Sequence, residues 1–262
     1  MSDLTHLSLF SGIGGLDLAA EWAGFRTVGQ CELADYPRAV LEKHWPGLPR
    51  WRDIRTLTGG DFFAKTRLRT VTVLSGGFPC QPFSTAGKRR GKEDYRYLWP
   101  EMLRVIQEIR PAWVVSENVA GLIRIALDDI LSELQEAGYE ARAYSSEARD
   151  VGGMFKGERI AIVAASNDRC ASMRWHLQFQ TDGEAAGCWN HNGGRTKEPD
   201  MWERWKLESR PCGVAHGVPN RVDRLKCLGN AVVPQQFYHI FRAIADLEVS
   251  QWENTQSAVC GL

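Results

Sequence analysis

The feature that most restricts this chain is an apolar run that empties into glycines and then into a helix. Leu7-Ser8-Leu9-Phe10 reads as a buried strand and Ser11-Gly12-Ile13-Gly14-Gly15 as a tight turn. Leu16–Phe25 follows as a helix with Leu16, Ala19, Ala20 and Ala23 on one face and Gly24 at its C-terminal cap. Such a unit opens a mostly parallel sheet wound with helices on both faces, and the alternation continues. Thr27–Glu32 reads as a strand ending on an acid, Tyr36–Trp45 as a helix, and a third strand is expected to begin at Ile54. Thr70–Leu74 is a β-branched buried strand. Leu98–Ile109 reads as a helix, Ala112–Ser116 as a strand, Leu127–Ala137 as a helix closed by Gly138, and Ile160–Ala164 as the last strand.

After that the alternation stops. Residues 167–220 lack periodicity and are rich in Gly, Trp, Asn, Arg and Pro, yet Trp175, Trp189, Trp202 and Trp205 give them something to bury. An ordered, loop-rich small domain is expected there, between a large domain over 1–166 and a returning segment over 221–262. In that segment Tyr238–Leu247 reads as a helix and the tail from Ser250 as frayed.

At 262 residues, 44% hydrophobic and 24% charged, the chain can bury an extended core, and no window approaches the roughly 20 apolar residues of a membrane span. The N-terminus lacks the basic region and apolar run of a secretory signal, so a cytoplasmic protein is expected. Seven cysteines, with no Cys-x-x-Cys pair, read as reduced thiols. Cys188/His191 and Cys212/His216 could be drawn together as a zinc set, but the spacing alone does not make one and no metal is expected. The net charge is zero, whereas nucleic-acid binding usually brings a basic excess. Basic residues do gather at Lys88, Arg89, Arg90, Lys92 and Arg96, and again from Arg195 to Lys226. Charge by itself leaves two solvated faces as good an explanation.

Two sets of residues carry chemistry. Glycines after a first strand let the backbone approach a ligand, and the helix N-terminus behind them offers unpaired amides, although an ordinary tight turn would look the same. Glu32, at the end of the second strand, stands where an acid can accept hydrogen bonds from ribose hydroxyls, and Asp53 where one can approach an adenine amino group. The second set is more specific. The strand ending at Leu74 discharges into Ser75-Gly76-Gly77-Phe78-Pro79-Cys80-Gln81-Pro82-Phe83-Ser84, where two prolines stiffen a loop around a thiol. Glu117 and Asn118 end the next strand on the same sheet edge, and a carboxyl beside a thiol can serve as its acid/base partner.

With these residues in order, the sequence resembles the bacterial and phage cytosine carbon-5 DNA methyltransferases. The ordered motifs are Phe10–Gly15, Pro79–Ser84, Glu117-Asn118-Val119, Glu158-Arg159-Ile160 and Leu228–Pro234. The resemblance implies a Rossmann-like methyltransferase sheet of six parallel strands and one antiparallel, with a target-recognition domain inserted before the final motif. It implies S-adenosylmethionine as cofactor, held by Phe10, Gly12, Ile13, Gly14, Glu32, Asp53, Ile54, Leu98, Asn230 and Ala231. It also implies a catalytic set of Cys80, Glu117 and Arg159 acting on a cytosine flipped out of double-stranded DNA. A monomer is expected, with a cognate restriction endonuclease system as a functional partner.

One departure stands out. Many relatives carry an arginine two residues before the one matched by Arg159, and here that position is Gly157. Either Lys156 takes the role, or the chain is an impaired, DNA-binding relative. An enzyme acting on tRNA remains the other alternative.

Overall fold

The computed structural model describes residues 3–79, 97–153, 155–172 and 220–260. The chain order is β1 (Thr5–Leu9), α1 (Gly15–Trp22), β2 (Arg26–Cys31), α2 (Asp35–His44), β3 (Arg50–Trp51), α3 (Gly59–Thr66), β4 (Val73–Gly76), α4 (Trp99–Ile109), β5 (Trp113–Val119), α5 (Leu127–Glu136), β6 (Tyr139–Ser146) and β7 (Arg159–Ser166). Short helices over Asn167–Ser172 and Arg221–Asn230 and a long C-terminal helix over Pro234–Cys260 follow.

These strands form one sheet in the order β3-β2-β1-β4-β5-β7-β6. Strands β1 to β5 pair in parallel, and β7 runs antiparallel to both its neighbours. Six strands therefore share one direction and β7 opposes them, which is the α/β arrangement the sequence implied. After β3 the chain returns to the other side of β1, so the sheet's switch point lies between β1 and β4. In wound sheets of this kind ligands settle in the crevice at the carboxyl ends of such strands.

The period of two along each strand sorts its side chains onto two cores. Val114, Ile160, Ile162 and Ala164 face one side, packed against Phe62 of α3, Trp99, Met102, Val105 and Ile106 of α4, and Ile130 and Leu134 of α5. Trp113, Val115, Ala161, Val163 and Ala165 face the other, against Leu16, Ala19 and Ala20 of α1 and Phe237, Ile240, Phe241 and Ile244 of the C-terminal helix. Helix α4 buries Trp99, Met102, Val105, Ile106 and Ile109, the spacing of a one-sided apolar stripe, and Pro100 sits in its first turn, where its missing N–H costs nothing.

Several expectations need correcting. The third strand is Arg50–Trp51 and does not begin at Ile54. Asp53 stops the extended chain, because its carboxylate accepts from Arg55 N at 3.0 Å and caps a 3-10 turn over Ile54–Thr56. Strand β6 was not anticipated, since its side chains alternate between half-buried and exposed without a strong apolar run. The C-terminal helix does not fray at Ser250 but continues to Cys260; Glu248, 8% exposed, anchors it by accepting from Trp113 Nε1 at 2.8 Å. Residues 167–172 are helical rather than loop. The rest of the expected small domain up to 219, with the four tryptophans and the candidate zinc residues, lies outside the described residues, as does the first basic cluster.

Candidate active site

The glycine turn is shaped by its backbone. Phe10, Gly12 and Gly14 have φ of 52°, 56° and 89°, a left-handed region that glycine occupies without strain. Two close approaches complete the case. A Cβ on Gly14 would meet the Trp45 ring at 2.5 Å, and one on Gly15 would meet the Val232 carbonyl oxygen at 2.7 Å. The turn is thus pressed between α2 and the segment returning after Asn230. Glu32 holds it from the side: Gly12 N donates to one carboxylate oxygen at 2.9 Å and Ala34 N to the other at 2.8 Å.

A cavity of about 1010 Å³ opens from this turn at the switch point. Its wall contains Phe10, Gly12, Ile13, Glu32, Asp53, Ile54, Leu98, Asn230 and Ala231, together with Glu117 and Arg159. One expected cofactor residue is not on the wall: Gly14 faces Trp45 instead. Cys80 lies outside the described residues; Pro79, before it in sequence, lines the cavity.

Glu117 and Arg159 meet across the β5–β7 ladder. The register sets Glu117 opposite Ala161 and Val119 opposite Arg159, so the two side chains are diagonal neighbours on one face. Arg159 Nε donates to Glu117 Oε1 at 2.9 Å. Burial pushes the Glu117 carboxyl up to about 7, although the Arg159 guanidinium pulls the other way. Gly77 makes room for this carboxylate, since a Cβ there would stand 2.7 Å from Glu117 Oε2.

Three further residues support this site. Asn118 Nδ2 donates to Phe78 O at 3.1 Å, tying β5 to the loop that enters the Pro79–Ser84 motif. Gln236, at the start of the C-terminal helix, donates from Nε2 to Ser146 O at 3.0 Å and to Gly157 O at 3.1 Å, which fixes the base of the β6–β7 hairpin beside Arg159. Arg104 of α4 donates to Ile54 O at 2.8 Å and to Leu57 O at 3.0 Å, bracing the segment after Asp53. Asn118 was legible as part of a motif; Gln236 and Arg104 carried no local signal, because their partners are distant carbonyls.

Gly157 adopts φ 46°, and a Cβ there would lie 2.5 Å from the Phe155 ring. The volume that a side chain at 157 would enter is therefore taken by Phe155. Lys156, the alternative cation, is exposed and engaged by Glu147 at 3.4 Å and Glu158 at 3.2 Å.

The donor set fits a nucleoside cofactor. Left-handed glycines with open space above Gly12 and a carboxylate at the strand end suit a ribose. An apolar wall at Phe10, Ile54 and Leu98 suits a flat base.

Residues 4–186 match the family model of the C-5 cytosine-specific DNA methylases. The Type II methyltransferase M.Eco47II of Escherichia coli is 37% identical over 174 residues, which is 63% of this chain and 40% of that protein. The Type II methyltransferase M.PspPI of Psychrobacter sp. (strain TA137) is 39% identical over 172 residues, 62% of this chain and 39% of that one. The chain thus spans about two-fifths of the length of these relatives. Among solved structures, the Entamoeba histolytica methyltransferase EhMeth shares the fold with a TM-score of 0.61, over 94% of this chain and 99% of that chain, at 13% identity. With its sheet, its ordered motifs and a family match over most of its length, the chain belongs to the C-5 cytosine-specific DNA methylase family.

Proposed function

We propose that the protein methylates carbon 5 of cytosine in duplex DNA, with S-adenosylmethionine as methyl donor and Cys80 as covalent nucleophile. The observation that carries this reading is the Glu117–Arg159 pair on the wall of the same cavity as the glycine turn, with the Glu117 carboxyl held up to about 7. Near neutral pH such a group both keeps and gives up a proton readily.

Carbon 5 of cytosine is a weak nucleophile until the ring is made electron-rich. The Cys80 thiolate adds to carbon 6, forming the C–S bond, as Glu117 delivers its proton to ring nitrogen 3. Arg159 stabilises the adduct and favours the thiolate. The bound cofactor supplies an electrophilic methyl on a sulfonium. Carbon 5 would take that methyl as its bond to sulfur breaks and a neutral thioether is left. The carbon-5 proton then passes to solvent, ring nitrogen 3 returns its proton to Glu117, and expulsion of Cys80 as thiolate restores the aromatic ring. The ring face must be open to the thiol, so the nucleotide is flipped out at a cost of a few kcal/mol. Phe10, Gly12, Ile13, Glu32, Asp53, Ile54, Leu98, Asn230 and Ala231 hold the cofactor, with Gly14 shaping the turn from behind. Residues 167–220 form the target-recognition domain. The protein works as a monomer in the cytoplasm, paired with a restriction endonuclease of the same specificity.

Transfer of labelled methyl groups to duplex DNA and to tRNA, run side by side, tests the proposal. Label in DNA alone is expected; label in tRNA alone replaces the substrate, and label in neither marks an impaired relative.

A further inference from the structure

Asp17 stands in the first turn of α1, two residues past Gly15, and has no solvent exposure. Its Oδ2 accepts from Ser8 Oγ at 2.8 Å, and its Oδ1 accepts from Gln30 Nε2 at 2.8 Å. The direction of the second bond is set by a third residue. Gln30 Oε1 accepts from Arg50 Nε at 2.9 Å, which leaves only the amide NH2 to face Asp17. Arg50 itself is directed elsewhere, to Glu42 and to the Leu41 and Trp45 carbonyls at the end of α2. Asp17 is therefore held by neutral donors, with no cation in contact among the described residues.

An anion buried in this way is costly, and burial does push its carboxyl up to about 6 against the pull of its hydrogen bonds. The Ser8 and Gln30 donors, one on each oxygen, favour the ionised form. The surroundings suggest what the charge is for. Ser8 leads along β1 to Phe10, Gln30 leads along β2 to Cys31 and Glu32, and Asp17 itself follows Gly15 and Leu16; all of these neighbours line the cavity.

We infer that Asp17 is a charge-selecting residue of the cofactor site: its carboxylate, one layer behind the Gly12–Gly15 turn, favours a cationic sulfonium ligand over the neutral thioether left after methyl transfer. The inference rests on the S-adenosylmethionine reading above. Through a poorly solvated wall a fixed negative charge acts over several ångströms without contact, and it acts on the donor and hardly on the product. A purely structural carboxylate would treat the two ligands alike.

Calorimetric dissociation constants for S-adenosylmethionine and S-adenosylhomocysteine, on wild-type protein and Asp17→Asn, separate these cases. The expected result is that the variant's preference shifts about tenfold toward the thioether, whose own affinity changes little. Parallel loss of both ligands, or no change in either, overturns the inference and leaves the cofactor reading intact. Wild-type protein that binds neither ligand overturns both.

Should Asp17→Asn fail to fold, the wild-type ratio measured from about pH 5 to 8 gives the same information. The titratable and charged groups to consider with Asp17 are Glu21 on its own helix, His6 on the same face of β1 as Ser8 and kept neutral by burial, Arg50 behind Gln30, and Glu32 and Glu117 on the cavity wall. Preference for the sulfonium should rise through about pH 6, and should do so in Glu32→Gln and in Glu117→Gln as well, the second removing the cavity-wall carboxyl raised to about 7. A flat ratio overturns the inference.

Discussion

Arg159 donates to Glu117 at 2.9 Å, yet the Glu117 carboxyl is carried upward to about 7 rather than held low by its cation. Desolvation outweighs the ion pair, so this carboxyl holds its proton to a higher pH than a free glutamate does. A general acid needs that property and a structural ion pair does not.

Glu117→Gln should therefore lower methyl transfer by roughly 10²–10⁴, with the cofactor dissociation constant unchanged. The pH profile has a definite sign. A carboxyl whose folded value is raised keeps its proton as pH climbs from the unfolded value near 4.5 to about 7. In that window the folded state binds more protons than the unfolded one, so Glu117 makes the fold less stable as pH rises. Urea denaturation at pH 5 and pH 8 should show a smaller loss in Glu117→Gln than in wild type; an equal loss would mean that this carboxyl is not raised.

Cys80→Ser should abolish turnover and spare cofactor binding, because in the proposed reaction the thiol serves the base and the glycine turn serves the cofactor. A duplex with 5-fluorocytosine at the target position gives a sharper readout. Fluorine cannot leave as a proton does, so a denaturant-stable complex should accumulate when the donor is present. The trap should fail with Cys80→Ala and form slowly with Glu117→Gln. A trapped complex at wild-type yield from Cys80→Ala would make another residue the nucleophile.

Glu32→Ala and Asp53→Ala should each raise the cofactor dissociation constant, by about tenfold per hydrogen bond lost to a charged group. Glu32→Ala is expected to be the more damaging, because it also releases the amides of Gly12 and Ala34, whereas Asp53 caps a local turn through Arg55. Titration calorimetry of both variants checks the order, and unchanged affinity in the pair would displace the cofactor from this cavity.

Gly157→Arg installs the residue type that the family resemblance implies at this position, and it should not help. With φ at 46° and the Phe155 ring 2.5 Å from the new Cβ, the substitution is expected to cost about 1–3 kcal/mol. Thermal melting should show a drop of a few degrees with no gain in turnover. A raised melting temperature together with faster methylation would show that the hairpin accommodates arginine readily.

Much of the site was legible because the signals are local. Phe10–Gly15 follows a strand directly and could be placed from periodicity and turn chemistry, whereas Glu117 lies inside β5, which runs on to Val119 past the Ser116 where its apolar run stops. Asp53 lines the cavity but follows the third strand, where the sequence suggests that it precedes it, since β3 is two residues long and leaves no periodic trace. Strand β6 was missed because Tyr139–Ser146 buries so little. Asp17, Gln30 and Arg50 were invisible for another reason: their importance comes from one another, across β1, α1, β2 and β3, and none is unusual where it stands in the sequence.

The clamp from Gln236 to Ser146 O and Gly157 O, with Val232 lying on Gly15, has a consequence for the order of synthesis. The glycine turn leaves the ribosome more than two hundred residues before the segment that closes over it. A nascent chain can pair its first strands early, but it has no finished pocket until the residues beyond 236 have emerged. Translation that stops short of that point would yield a protein with Glu32, Asp53, Cys80 and Glu117 in its sequence and with one wall of the cavity absent.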